Sequence, residues 1–187
     1  MRALIVHPGL TLRAAARDPD MVRAALTVGL TGVVSLALDV AASIIGAAGA
    51  GALVLSIALP VMLVVFWLVS GLLIGAGARL MGHQPRRREL LATTGLTFPV
   101  LALYAVIALV QAASPRWGGD SLAVGVGLLA LPLVGWFVVL NAIAVRAVYD
   151  TAPLSAVALT LIPYAALSAV LLLLVVVVSL LHSVGAV

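Results

Sequence analysis

The sequence predicts an all-α, polytopic integral membrane protein, a bundle of about five transmembrane helices, and three observations carry that prediction. Of the 187 residues, 65% are hydrophobic and only 9% are charged, against roughly 45–50% and about 25% in ordinary soluble domains. A soluble domain of this length leaves a large part of its surface facing water, so a chain this poor in polar residues must meet a solvent that is itself apolar. Five apolar runs are each long enough to cross a bilayer core of about 30 Å, which takes roughly 20 residues as a helix. Finally, all arginines but one fall on the same side of those runs.

Residues 1–23 carry Arg2, Arg13, Arg17 and Arg23 ahead of the first run. The segment reads as cytoplasmic, with Pro8 to Arg17 either a loose tail or a short interfacial helix lying on anionic lipid. Asp18 followed by Pro19 reads as an N-cap with proline at the first helical position, which starts the first membrane helix. A cleavable signal peptide is not expected, because the first long apolar run begins only after these charges.

A five-helix transmembrane domain then occupies 24–187, with spans at about 24–46, 52–78, 93–113, 122–145 and 155–181. Lipid offers no partners to backbone amides, and the runs lack the alternation of a barrel strand, so helix is the expected conformation. The connections, Gly46 to Gly51, Arg79 to Ala92, Ser114 to Ser121 and Arg146 to Leu154, are short enough to make antiparallel hairpins. None could hold a separate soluble domain.

Arg2, Arg13, Arg17, Arg23, Arg79, Arg86, Arg87, Arg88 and Arg146 fall on one side of the spans and Arg116 on the other. The excess of arginine in cytoplasmic loops then predicts a cell (plasma) membrane protein with its N-terminus in the cytoplasm and its C-terminus outside. The net charge of +4, from ten arginines without lysine, reads as codon bias in a GC-rich genome and not as nucleic-acid binding. A weak recurrence of Pro60, Trp67 and Arg79 as Pro132, Trp136 and Arg146, at unequal intervals, hints at a parallel repeat of the kind some transporters contain.

Candidate residues are few. Asp39 is the one acidic group well inside a span, where an ionisable side chain suggests an ion, a proton or a polar partner such as Gln111, Arg116 or His182. The plainer alternative is that it sits wet at the outer interface. Gly71 and Gly75 form a small-xxx-small pair for helix packing, within the bundle or between copies. Arg86, Arg87 and Arg88, with Arg79, make the densest charge cluster and are candidates for binding lipid headgroups or a protein partner, each arginine adding about 1 kcal/mol of attraction near an anionic leaflet. Pro60, Pro99, Pro132 and Pro163 each free a carbonyl one turn earlier, and Asn141 suits an interhelical hydrogen bond.

The absence of cysteine excludes disulfides and thiolate metal sites. His7, His83 and His182 lack the spacing of a metal site. No nucleophile elbow, P-loop, zinc-protease or dinucleotide fingerprint is present. The expectation is therefore no enzyme, no metal and no cofactor.

His7-Pro8-Gly9, Arg79-Leu80-Met81-Gly82, and Arg88-Glu89-Leu90-Leu91 leading to Gly95-Leu96-Thr97-Phe98-Pro99 resemble stretches of the Yip family, the Ypt/Rab-interacting membrane proteins. The likeness covers nearly the whole chain. It implies a cytoplasmic N-terminus and five membrane helices. The aspartate–leucine–tyrosine–glycine–proline segment of eukaryotic members has no counterpart, and Leu96 stands where their tyrosine follows the glycine. Together with a composition that looks prokaryotic, these departures weaken the expectation of a Rab-type GTPase partner. The expected function is a membrane scaffold or organiser that interacts with lipids, with other membrane proteins or with itself. The alternative is a small transporter or channel using Asp39 in a polar site between helices.

Overall fold

Proline, glycine and aspartate divide the apolar chain into eight helices among the described residues: α1 (Pro8–Arg17), α2 (Met21–Ile45), α3 (Ala50–Leu80), α4 (Arg87–Gly95), α5 (Pro99–Ala113), α6 (Pro115–Leu128), α7 (Ala130–Tyr149) and α8 (Pro153–Val184). The computed structural model describes residues 7–46 and 50–184, with side chains except at 50–55, 115–120 and 181–184. Arg2, the middle of the Gly46–Gly51 turn and the side chains of Arg116 and His182 lie outside the described residues. Five stretches are long and apolar enough to span a membrane: Met21–Ile45, Ser56–Leu80, Arg87–Ala113, Ser121–Tyr149 and Pro153–Leu180.

Helix starts and stops follow local chemistry, with one correction. The N-cap of the first span is Asp20 and not Asp18, because the Asp20 carboxylate accepts the Arg23 amide at 2.8 Å. Asp18 precedes proline, is held extended (φ −126°, ψ 82°), and closes α1 instead. The third span also starts earlier than expected. Residues from Arg87 onward are helical, with Glu89 in the first turn where an acid complements the helix dipole, so the loop shrinks to residues 81–86.

The third span is broken. Pro99 has no N–H to give the Gly95 carbonyl, and residues 96–98 tighten into turns in which Thr97 N–H bonds Thr94 O at 3.0 Å and Leu101 N–H bonds Phe98 O at 2.8 Å. Pro132 acts similarly by freeing the Leu128 carbonyl, and Leu129 bonds back to Val126 at 3.1 Å where α6 gives way to α7. Pro60 and Pro163 lie inside continuous helices.

Packing places the helices in a ring. α5 lies against α2, α2 against α3, α3 against α8, α8 against α7, and α7 closes on α5, while α6 lies beside α5. α4 is plugged into one end of this ring, touching α1, α2, α3 and α7. Since lipid tails are as apolar as leucine, close backbone approach and not apolar burial must hold such a ring together. A Cβ on Gly32 would lie 2.8 Å from the Pro60 Cα, and one on Gly95 would lie 2.8 Å from the Ala24 Cβ and 3.2 Å from its Cα. Trp67, Phe98, Phe137 and Leu140 fill the centre, with Phe98 and Phe137 edge to face at 5.5 Å. From residue 167 to 180, by contrast, α8 is exposed on every side of the helix.

Candidate functional site

Arginine gathers at one end of the ring. The guanidinium groups of Arg13, Arg17, Arg23, Arg79, Arg86, Arg87, Arg88 and Arg146 are all exposed there, against four acids, Asp18, Asp20, Glu89 and Asp150. None of the eight forms an ion pair among the described residues. Their charge is therefore available to groups outside the chain.

α1 forms part of this end as a docked helix. Its Leu12 is fully buried with Ala144 against Leu96 and Ile143, and Ala16, one turn on, packs against the cluster of Leu90, Val145 and Val148. Arg13 and Arg17 point away from that stripe, which gives the segment the amphipathic pattern of a helix seated on a bundle.

Among the described residues, Arg86 is the one arginine whose side chain is tied down by a hydrogen bond. Its Nη1 donates to the Val148 carbonyl at 3.2 Å, capping an orphan carbonyl in the last turn of α7. Two further devices shape the surroundings. α3 ends in a Schellman motif, with Gly82 at φ +82°, Gly82 N–H bonding Arg79 O at 2.9 Å and His83 N–H bonding Ala78 O at 2.9 Å. α7 ends with Asp150 in the left-handed region (φ 48°, ψ 41°), its N–H bonding Arg146 O at 2.9 Å, a conformation aspartate tolerates better than most residues. The first motif folds His83 back so that its ring meets that of Tyr149 edge to face at 5.7 Å. His83, Gln84, Arg86, Tyr149 and Asp150 line an open cavity of about 170 Å³.

Beneath α4 runs a buried polar seam. Thr93, Thr94 and Thr97 turn their hydroxyls onto carbonyls of their own segment, Glu89, Leu90 and Thr94, at 2.6–2.8 Å. Trp67 Nε1 donates across to the Leu91 carbonyl at 3.1 Å, which ties α3 to α4. Asn141 Nδ2 donates to Phe137 O at 2.9 Å, within its own helix and not across helices as expected. Ser70, Thr94, Asn141, Thr160 and Tyr164 border a space of about 10 Å³, room for one water at most.

Gly71 and Gly75 both face into the chain, Gly71 against the Leu91 side chain and Gly75 towards the Tyr149 hydroxyl. Asp39 is half-buried towards the opposite end of α2 and makes no hydrogen bond or ion pair among the described residues. Of the partners expected for it, the Gln111 amide lies against Gly127 on α6 instead. Sequence reasoning did not find the His83, Tyr149 and Asp150 grouping. Gly82 just beyond an apolar run ending in Arg79 was a readable stop signal, but not which ring the turned-back histidine would meet.

No curated protein and no solved structure shows significant similarity to the chain. The model of the Yip1 domain matches residues 2–178, almost the whole length. With five membrane-spanning helices already evident, this match shows that the chain is a multi-pass membrane protein that belongs to the Yip family.

Proposed function

We propose that this protein is a non-enzymatic membrane scaffold whose arginine-rich end faces the cytoplasm and holds anionic lipid surfaces or acidic partners against the membrane. One observation carries the reading: eight exposed arginines at one end form no ion pair among the described residues. Buried charge pairs would point to internal architecture, whereas unpaired guanidinium groups offer bidentate donors to phosphate and carboxylate. Arg87 and Arg88, at the start of α4, and Arg79, at the end of α3, contribute through charge, while Arg86 also caps α7. The inward packing of Gly71 and Gly75 supports a bundle that holds its shape as a single chain.

The transport alternative rests on Asp39, and the central polar space lies among α3, α4, α7 and α8, away from that residue. Tethering tests the scaffold reading. The chain is reconstituted into neutral phosphatidylcholine liposomes, and capture of phosphatidylglycerol vesicles is followed by light scattering. At about 1 kcal/mol per arginine, R87Q/R88Q should weaken capture about thirtyfold at low salt, and unchanged capture would overturn the reading.

A further inference from the structure

The cavity of His83, Gln84, Arg86, Tyr149 and Asp150 has polar groups that the protein itself does not use. His83 Nδ1 is buried without a hydrogen bond, and the Tyr149 hydroxyl, in a residue 7% exposed, has only the Arg86 backbone amide near it, short of standard geometry. The Gln84 amide and the Asp150 carboxylate have no partner among the described residues, and Arg86 spends one donor on Val148. Leaving the two buried atoms unpaired is costly unless something supplies the missing bonds, whereas Gln84, Arg86 and Asp150 are exposed at the mouth and free to meet a ligand from outside.

The field in the cavity has two signs. The N-terminus of α4, with Arg86 at its cap, brings positive potential, and the C-terminus of α7, with Asp150 beside it, brings negative potential. The Arg86 to Val148 bond shows that these two ends meet. A simple anion would satisfy Arg86 and be repelled by Asp150, and a simple cation would meet the reverse. A zwitterion satisfies both. Leu80, Met81 and Leu154, close in sequence to its lining residues, are 91%, 48% and 82% exposed and offer apolar side chains to the acyl chains of a lipid held there.

We infer that this cavity receives the phosphoethanolamine headgroup of a membrane lipid, its phosphate on Arg86 and Gln84 and its ammonium on Asp150. This rests on the proposed lipid-facing role of the arginine-rich end but asks for a specific headgroup where that role asks for negative charge alone. Arg86 also caps α7, so Asp150 is the cleaner position to perturb, and asparagine keeps the left-handed conformation that the site needs.

The full chain in detergent is exposed to equal amounts of phosphatidylethanolamine and phosphatidylglycerol with the same acyl chains, and retained lipids are counted by native mass spectrometry. Phosphatidylethanolamine adducts should exceed phosphatidylglycerol adducts. D150N should lower that ratio about tenfold, the scale of one charge-assisted hydrogen bond. R87Q/R88Q, which leaves the cavity intact, should lose vesicle capture and phosphatidylglycerol adducts while keeping phosphatidylethanolamine adducts, so the two readings fail separately. Equal retention of both lipids by the unaltered chain, or a ratio that D150N does not change, would overturn the inference.

Discussion

Gly95→Ala tests whether backbone proximity between the first and third spans holds the ring together. The added Cβ would lie 2.8 Å from the Ala24 Cβ, 3.2 Å from its Cα and 3.3 Å from its carbonyl oxygen, whereas carbon atoms prefer about 3.5–4.0 Å. α2 and α4 must therefore separate by roughly 1 Å, and overpacking of that kind costs about 1–3 kcal/mol. Alanine's higher helix propensity offsets up to about 1 kcal/mol of this, so a net loss of about 0.5–2 kcal/mol is expected. Gly29→Ala is the internal control, since nothing lies within 4 Å of a Cβ at that position of α2. It should stabilise. Ala24→Gly removes the nearest atom but leaves the backbone contacts, so it should rescue Gly95→Ala in part, with a coupling energy above about 0.5 kcal/mol in the double-mutant cycle. Equilibrium unfolding in a denaturing detergent series reads all five reconstituted proteins, the unaltered chain, the three single variants and the double variant. If Gly95→Ala matches Gly29→Ala in sign and size, the close-approach argument is wrong.

Two other substitutions probe the arginine-rich end. Leu12→Ala empties a fully buried position between α1 and the bundle, and at about 2–5 kcal/mol it should undock α1; trypsin would then cut after Arg13 and Arg17 much faster, and an unchanged digestion rate would show that α1 is held by something else. Gly82→Ala forces a side chain into the left-handed turn at φ +82° and should cost about 1–2 kcal/mol in thermal unfolding followed by circular dichroism, while Gly9→Ala, in open space, should cost nothing.

The candidate site was legible in part. Arg79, Arg86, Arg87 and Arg88 stand out in the sequence because charge is rare in this chain, and rarity is visible without knowing the fold. Their different uses were not. Arg86 is singled out by a carbonyl 62 residues away, that of Val148, and nothing local to Arg86 marks it from its neighbours. Asp39 stands out for the same reason as the arginines, yet what surrounds it depends on how α2 is rotated in the ring. Tyr149 looks like an ordinary interfacial aromatic until the turn at Gly82 brings His83 onto it.

Hydropathy alone determined five crossings and their one charged side, because bilayer thickness and the cost of bare amides in lipid act on each stretch independently of the rest. Each of Pro60, Pro99, Pro132 and Pro163 visibly removes an N–H, but nothing local told that the helix would break at Pro99 and Pro132 and run on through Pro60 and Pro163. Only the tertiary structure decided that the third span splits so that α4 can plug the ring, that α1 docks upon it, and that α4's positive end meets α7's negative one. Those outcomes hang on pairs such as Gly95 with Ala24 and Trp67 with Leu91, and in lipid, where apolar burial discriminates little, such pairwise fits are what choose one arrangement of helices over another.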